Sequence, residues 1–164
     1  VAEADRDFCG RQGAGGWFYG ERTGREGAFT LLPTFGHDDW HYGWSNGYPY
    51  LSVTATDQHP SVFDGKPVTV VRRWKSSIAG VVRVKGEFCS EPAGDGVGVS
   101  LAVDGRNRLA ARLGGGNPIA RPFDLTATVH PGSVIDFATD PGPGTNINSD
   151  ATEVTVEIAR EAHR

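Results

Sequence analysis

Residues 97–113 read VGVSLAVDGRNRLAARL, and this stretch decides the fold. Val97, Val99, Leu101 and Val103 alternate with Gly98, Ser100 and Ala102, the period of a strand with one buried face. Asp104-Gly105 follows at once, a pair suited to the positive φ angles of a type I′ turn. The chain then returns with Leu109, Ala111 and Leu113 in alternation. A helix over 108–113 would be too short to stand and would follow directly on a hairpin turn. The stretch is therefore predicted to be a β-hairpin.

The same alternation extends in both directions. Residues 68–74 (VTVVRRW) form a strand run, with Arg72 and Arg73 on opposite sides of the pleat or one of them stacked on Trp74. Val82, Val84 and Gly86 share a face in 80–88, and Phe123, Leu125, Ala127 and Val129 do so in 123–129. Pro131-Gly132 marks a turn before 133–138. The last run, 152–158, places Val154, Val156 and Ile158 against Glu153, Thr155 and Glu157. Shorter candidates are 16–21, 28–32 and 50–55. No segment carries a capped helical period over three turns. With 23 Gly and 10 Pro, the reading is an all-β, jelly-roll type antiparallel sandwich of about ten short strands with negligible helix. No repeat or linker divides it, so 1–164 is read as one domain. The 16–21 run is expected beside 152–158, with Trp17 turned into the core.

Bulk properties exclude several classes. At 164 residues the chain can bury one core, and 38% hydrophobic with 22% charged residues is neither disordered nor membrane-embedded. A net charge of -4 without a basic run argues against nucleic acid, and no apolar run is long enough to span a membrane. The sequence starts at Val1 and has no Met, so a mature form or a domain excised from a larger protein is expected. Cys9 and Cys89 suit a disulfide that would close a long loop and add roughly 2–4 kcal/mol. Two buried free thiols are the alternative. The disulfide reading carries with it a secreted, extracellular home.

The densest polar-aromatic segment is 37–50, HDDWHYGWSNGYPY, with two of the four Trp and three of the four Tyr. Its Gly, Asn and Pro make it read as a loop. Trp40, Tyr42 and Trp44 alternate and, if extended, share one face as a platform for sugar rings. His37, Asp39 and Asn46 would orient hydroxyl groups. The competing reading is a plug that closes one end of the sandwich or docks on a neighbouring domain. Tyr48 and Tyr50 lead into a strand and read as structural.

Residues 140–152 (DPGPGTNINSDAT) are rich in side-chain oxygens without the spacing of an EF-hand. They shape a loop through Asx turns or hold a structural Ca²⁺, with Asp150 as first ligand and Asp7 or Asp5 from the N-terminal segment as partner. No catalytic residue is singled out. GxSxG is absent, and no acid pair stands out by spacing.

The stretches 59–88 (HPSVFDGKPVTVVRRWKSSIAGVVRVKGEF), 94–105 (GDGVGVSLAVDG) and 129–152 (VHPGSVIDFATDPGPGTNINSDAT) resemble an accessory, carbohydrate-binding-module-like β-sandwich of secreted bacterial polysaccharide-active proteins. The opening 7–21 (DFCGRQGAGGWFYGE) is similar to the same module's first strand, and the 37–50 segment lies outside the resemblance. The resemblance implies a lectin-like, non-catalytic module that binds a polysaccharide or oligosaccharide. Its partner would be the catalytic domain of a parent enzyme. The alternatives are a small glycoside hydrolase or polysaccharide lyase, with His41 and Tyr42 as base and acid, or a structural module docked on a catalytic domain.

Overall fold

Asp104 and Gly105 take φ of 48° and 77°, so residues 97–113 close as the hairpin that their alternation implies. The computed structural model describes residues 1–24, 27–37 and 41–162. In chain order the strands are β1 (Ala2–Glu3), β2 (Trp17–Thr23), β3 (Thr30–Leu31), β4 (Thr34–His37), β5 (Tyr42–Ser45), β6 (Ser52–Val53), β7 (Asp57–His59) and β8 (Ser61–Phe63). The longer ones follow: β9 (Lys66–Lys75), β10 (Gly80–Ser90), β11 (Val97–Val103), β12 (Arg106–Leu113), β13 (Ala120–Val129), β14 (Val134–Asp140) and β15 (Thr152–Arg160). A 3₁₀ turn at Ala14–Gly16 is the one helical element among the described residues.

Two antiparallel sheets make the sandwich. One runs β13-β10-β15-β7-β6-β5-β4, with β1 also on β15; the other runs β12-β11-β14-β9-β2-β3, with β8 on β9. The all-β sandwich expected from the sequence is thus the observed fold. Among the described residues the strands number fifteen rather than about ten, because pieces of two or three residues are too short for alternation to register in sequence. The chain ends do pair, but through β1, where Ala2 faces Ile158. The GWFYGE run lies instead in the opposite sheet, with Trp17 beside Trp74.

Alternate residues of both sheets fill the interior. Trp17 is fully buried, its ring 6.2 Å from that of Phe137, which lies 5.7 Å from Phe123; Phe123 in turn is 5.5 Å from Phe88. Gly86 sits opposite Phe123 on β10, where an added Cβ would come within 2.8 Å of the Phe123 ring. A side chain there would displace a core aromatic.

The two arginines of β9 divide across the pleat as one of the sequence readings had it. Arg72 turns inward and is fully buried; its guanidinium donates to the carbonyls of Thr54 at 2.9 Å, Ala55 at 3.3 Å and Asp57 at 3.3 Å. It thereby ties β9 to the turn between β6 and β7. Burial lowers its pKa to about 10, which leaves it charged at neutral pH. Arg73 faces outward, 3.9 Å from the Phe29 ring, and grips Asp136 with two bonds of 2.7 and 2.9 Å. Arg22 adds a third bond to Asp136 at 2.6 Å, pinning β2, β9 and β14 together on the outer face.

The disulfide expected between Cys9 and Cys89 does not form; both are free thiols. Cys89 pairs with Glu153 in register on β10, and Glu87 and Glu153 join burial in raising its pKa. Cys9 belongs to the N-terminal segment, where its carbonyl receives the Trp44 indole. The two thiols thus serve different parts of the sandwich. At its far end, β12 and β13 are the outer strands of the two sheets, and the Arg108 guanidinium reaches the Thr126 carbonyl at 3.3 Å.

Candidate functional site

The segment read as a loop is largely a hairpin arm. Strands β4 and β5 pair with Phe35 opposite Trp44 and His37 opposite Tyr42. That register places four rings on one face of the sheet edge. Trp44 stacks on Tyr19 at 6.0 Å and 18°. Phe35 follows, 5.2 Å from Trp44 and 5.1 Å from Tyr42, and Tyr42 lies 4.8 Å from the His37 ring. Phe8 braces this row from the N-terminal segment, 5.9 Å from Phe35 and 5.2 Å from Tyr19.

Exposure changes along the row. Trp44 is 6% exposed and its indole N–H donates to the Cys9 carbonyl at 3.1 Å, whereas Tyr42 is 54% exposed. Trp44 is therefore a core residue and not part of a surface platform. The period-2 argument correctly put Tyr42 and Trp44 on one face, but that face runs from the interior to solvent within two residues. His37 is exposed beside Tyr42. Asn46 uses its side-chain oxygen to accept the Tyr48 N–H at 3.0 Å, shaping the turn. Asp39 and Trp40 lie outside the described residues.

A shallow groove of about 220 Å³ follows the same two strands, lined by His37 and His41 with Thr34, Ser45 and Ser52. The Ser52 hydroxyl is buried and finds no hydrogen-bond partner among the described residues. Its cross-strand neighbour His59 is buried too, with Nδ1 2.7 Å from the Pro60 carbonyl. Sequence reasoning missed Phe35, Ser45 and Ser52. The sole available signal was the aromatic-Gly alternation of 35–37, which is short and precedes the segment singled out.

A second, larger hollow of about 520 Å³ opens between the β8–β9 turn and residues 142–145, with Thr69, Arg112, Asp140 and Thr145 on its walls. Asp140 accepts the Gly142 N–H at 2.8 Å. The exposed aromatics Tyr50 and Phe63 stand apart from the β4–β5 row: Tyr50 packs on His59 at 5.7 Å and Phe63 stacks on Tyr48 at 4.2 Å.

The two residues read as Ca²⁺ ligands are not brought together by any contact. Asp7 spends its carboxylate on the Glu3 N–H at 2.8 Å and on Arg6 at 3.1 Å. Asp150 is fully buried, and among the described residues neither of its oxygens finds a hydrogen-bond partner. Among the described residues no three His, Cys, Asp or Glu side chains converge as a metal-ligand set.

No family model and no curated protein matches the chain. Solved structures of similar shape include TmCBM61 in complex with beta-1,4-galactotriose, at 18% identity and a TM-score of 0.39, covering 58% of this chain and 64% of that one. The chain thus spans less than two thirds of that relative. CBM35 from Paenibacillus barcinonensis is similar over 98% of both chains, at 11% identity and a TM-score of 0.36. Rabbit GITRL is similar over 88% of this chain and 94% of its own, at 9% identity and a TM-score of 0.38.

Proposed function

We propose that the chain is a non-catalytic glycan-binding module that holds a secreted polysaccharide-degrading protein on its substrate. The observation that carries this reading is Tyr42. Its ring is more than half exposed, yet it packs against Phe35 at 5.1 Å in a T-shaped contact and lies 4.8 Å from the His37 ring. An aromatic face fixed in this way loses little freedom when a pyranose ring stacks on it. His37, His41 and Ser45 line the neighbouring groove, where they supply donors and acceptors for sugar hydroxyls. Few rings and a shallow groove imply affinity in about the micromolar to millimolar range.

The test is affinity electrophoresis of the folded chain through a panel of soluble polysaccharides, followed by isothermal titration with oligosaccharides of the retarding polymer. Tyr42→Ala is expected to abolish retardation while leaving the fold intact. Retardation by none of the panel, or retardation unchanged in Tyr42→Ala, overturns the assignment. Release of reducing ends by the wild-type chain would make it an enzyme instead.

A further inference from the structure

A glycine inside a strand weakens it, so its presence calls for a reason: a bulge, a strained turn, or close approach by another backbone or a ligand. Most strand glycines of this chain find that reason within the fold. Gly80 has φ of 130°. A Cβ on Gly20 would collide with the Phe29 ring, one on Gly43 with the Val53 carbonyl, one on Gly86 with the Thr155 carbonyl and one on Gly98 with the Asp140 carboxylate. Gly36, inside β4, has no such reason. Its φ is not positive, and an added Cβ would meet no heavy atom of the described residues within 4 Å.

Gly36 lies opposite Gly43, and Thr34 lies opposite Ser45. By strand alternation these four share the face of the hairpin turned away from Phe35, His37, Tyr42 and Trp44. On that face Gly36 leaves bare peptide beside the Thr34 and Ser45 hydroxyls. All four residues line the groove of about 220 Å³, which also takes in His41. The outer strand of this sheet is β4, so every second residue of it turns its N–H and C=O away from β5. Among the described residues no Lys, Arg, Asp or Glu lines the groove.

We infer that the face over Gly36 is a second sugar subsite, that Gly36 is the residue which decides what enters it, and that the glycan it takes is neutral. The groove is too small to enclose an oligosaccharide and receives one ring of a chain. A ring laid on the Gly36 peptide has the Thr34 and Ser45 hydroxyls and the outward peptide groups beside it as donors and acceptors. A side chain at position 36 would stand where that ring lies. A uronate or sulfate ester there would lose water without a cation to pair with it, whereas hydroxyl groups would be satisfied. Tyr42 serves one face of the hairpin arm and Gly36 the other, and a glycan chain that crosses the β4 edge meets both. The subsite presupposes the glycan-binding role of Tyr42, and the experiment separates the two.

The experiment is affinity electrophoresis of the full chain in neutral polysaccharides (galactan, mannan, xylan, β-glucan) and anionic ones (polygalacturonate, alginate), with isothermal titration of oligosaccharides from the retarding polymer. Wild type, Gly36→Ala, Gly36→Leu and Tyr42→Ala are compared, each with a thermal melt. Wild type is expected to be retarded by a neutral polymer. Gly36→Leu should lose at least about tenfold in affinity by occupying the subsite, and Gly36→Ala less. Both should melt within about 2 °C of wild type or above it, since an open strand position gains from a side chain. Lower affinity in a protein of undiminished stability is a result that a glycine with a packing role cannot give. Undiminished affinity in Gly36→Leu, where Tyr42→Ala has lost it, overturns the subsite and leaves the stacking residue in place. Retardation of wild type by no polymer overturns both. Retardation by the anionic polymers alone overturns the subsite, as does a melt more than about 5 °C below wild type in both Gly36 variants.

Discussion

The indole of Trp44 lies stacked on the ring of Tyr19 at 6.0 Å, so the edge hairpin β4–β5 is bolted to a strand of the opposite sheet. Tyr42, two residues earlier, stands on the same face but in solvent. This divides the stability of the hairpin from the chemistry at its tip, and the two are separable by mutation. Trp44→Ala is expected to cost about 3–5 kcal/mol in urea denaturation followed by circular dichroism. Tyr42→Ala should cost less than about 1 kcal/mol and lower glycan affinity about tenfold or more. A Trp44→Ala protein as stable as wild type would contradict its place in the core.

Arg72 supplies a second prediction. Replacing it with Leu leaves the carbonyls of Thr54, Ala55 and Asp57 without their buried donor. The expected loss is roughly 3 kcal/mol or more, read as a lower urea midpoint with an unchanged slope. Arg73→Leu, on the outer face, removes a charge-assisted pair to Asp136 that still keeps Arg22, and its cost should be smaller.

A third concerns acid. Burial lowers the pKa of His59 below its ordinary 6.5, opposed by the Pro60 carbonyl, Asp57 and Glu91 and reinforced by His41. Below about pH 6.5 the unfolded chain takes up a proton that folded His59 refuses. Its contribution to stability is therefore complete above that pH and is lost as pH falls from there toward the folded value. Melting temperatures measured from pH 7.5 to 5 should fall less steeply in His59→Gln than in wild type. Parallel curves would show that His59 does not titrate in this way.

The cysteines give a fourth. Mass spectrometry of the unreduced chain, alkylated after unfolding in urea, should show two labels, one on Cys9 and one on Cys89. Dithiothreitol should leave the melting temperature unchanged. A single species two mass units lighter and unlabelled would restore the bridge.

How much of this was legible in the sequence follows from strand length. β10, β11 and β15 each carry at least three inward apolar residues at period two, and Asp104-Gly105 names its own turn. The pairing of β1 with β15 left no trace, because two residues hold no period. Composition singled out the aromatic-rich segment 37–50, but composition cannot place the boundary between core and solvent. Trp44 and Tyr42 look equivalent in the string HYGWSN and differ because Tyr19 stacks on Trp44 and the Cys9 carbonyl takes its indole N–H. Asp150 was picked out as the leading acid of an oxygen-rich loop. Its complete burial is set by the fold and leaves no mark in the string. The two cysteines carried no geometry at all.

The long outer strand β13 has a further consequence. A strand bonded on one side only offers its free N–H and C=O groups to any passing chain, and a ten-residue row of them invites end-to-end growth into aggregates. Here Pro122 removes one donor from the row, a substitution that an edge tolerates and a central strand does not. Arg108 occupies the carbonyl of Thr126 from the neighbouring sheet. With these two interruptions, crowded copies of the chain meet an edge that is a poor template for a fibre.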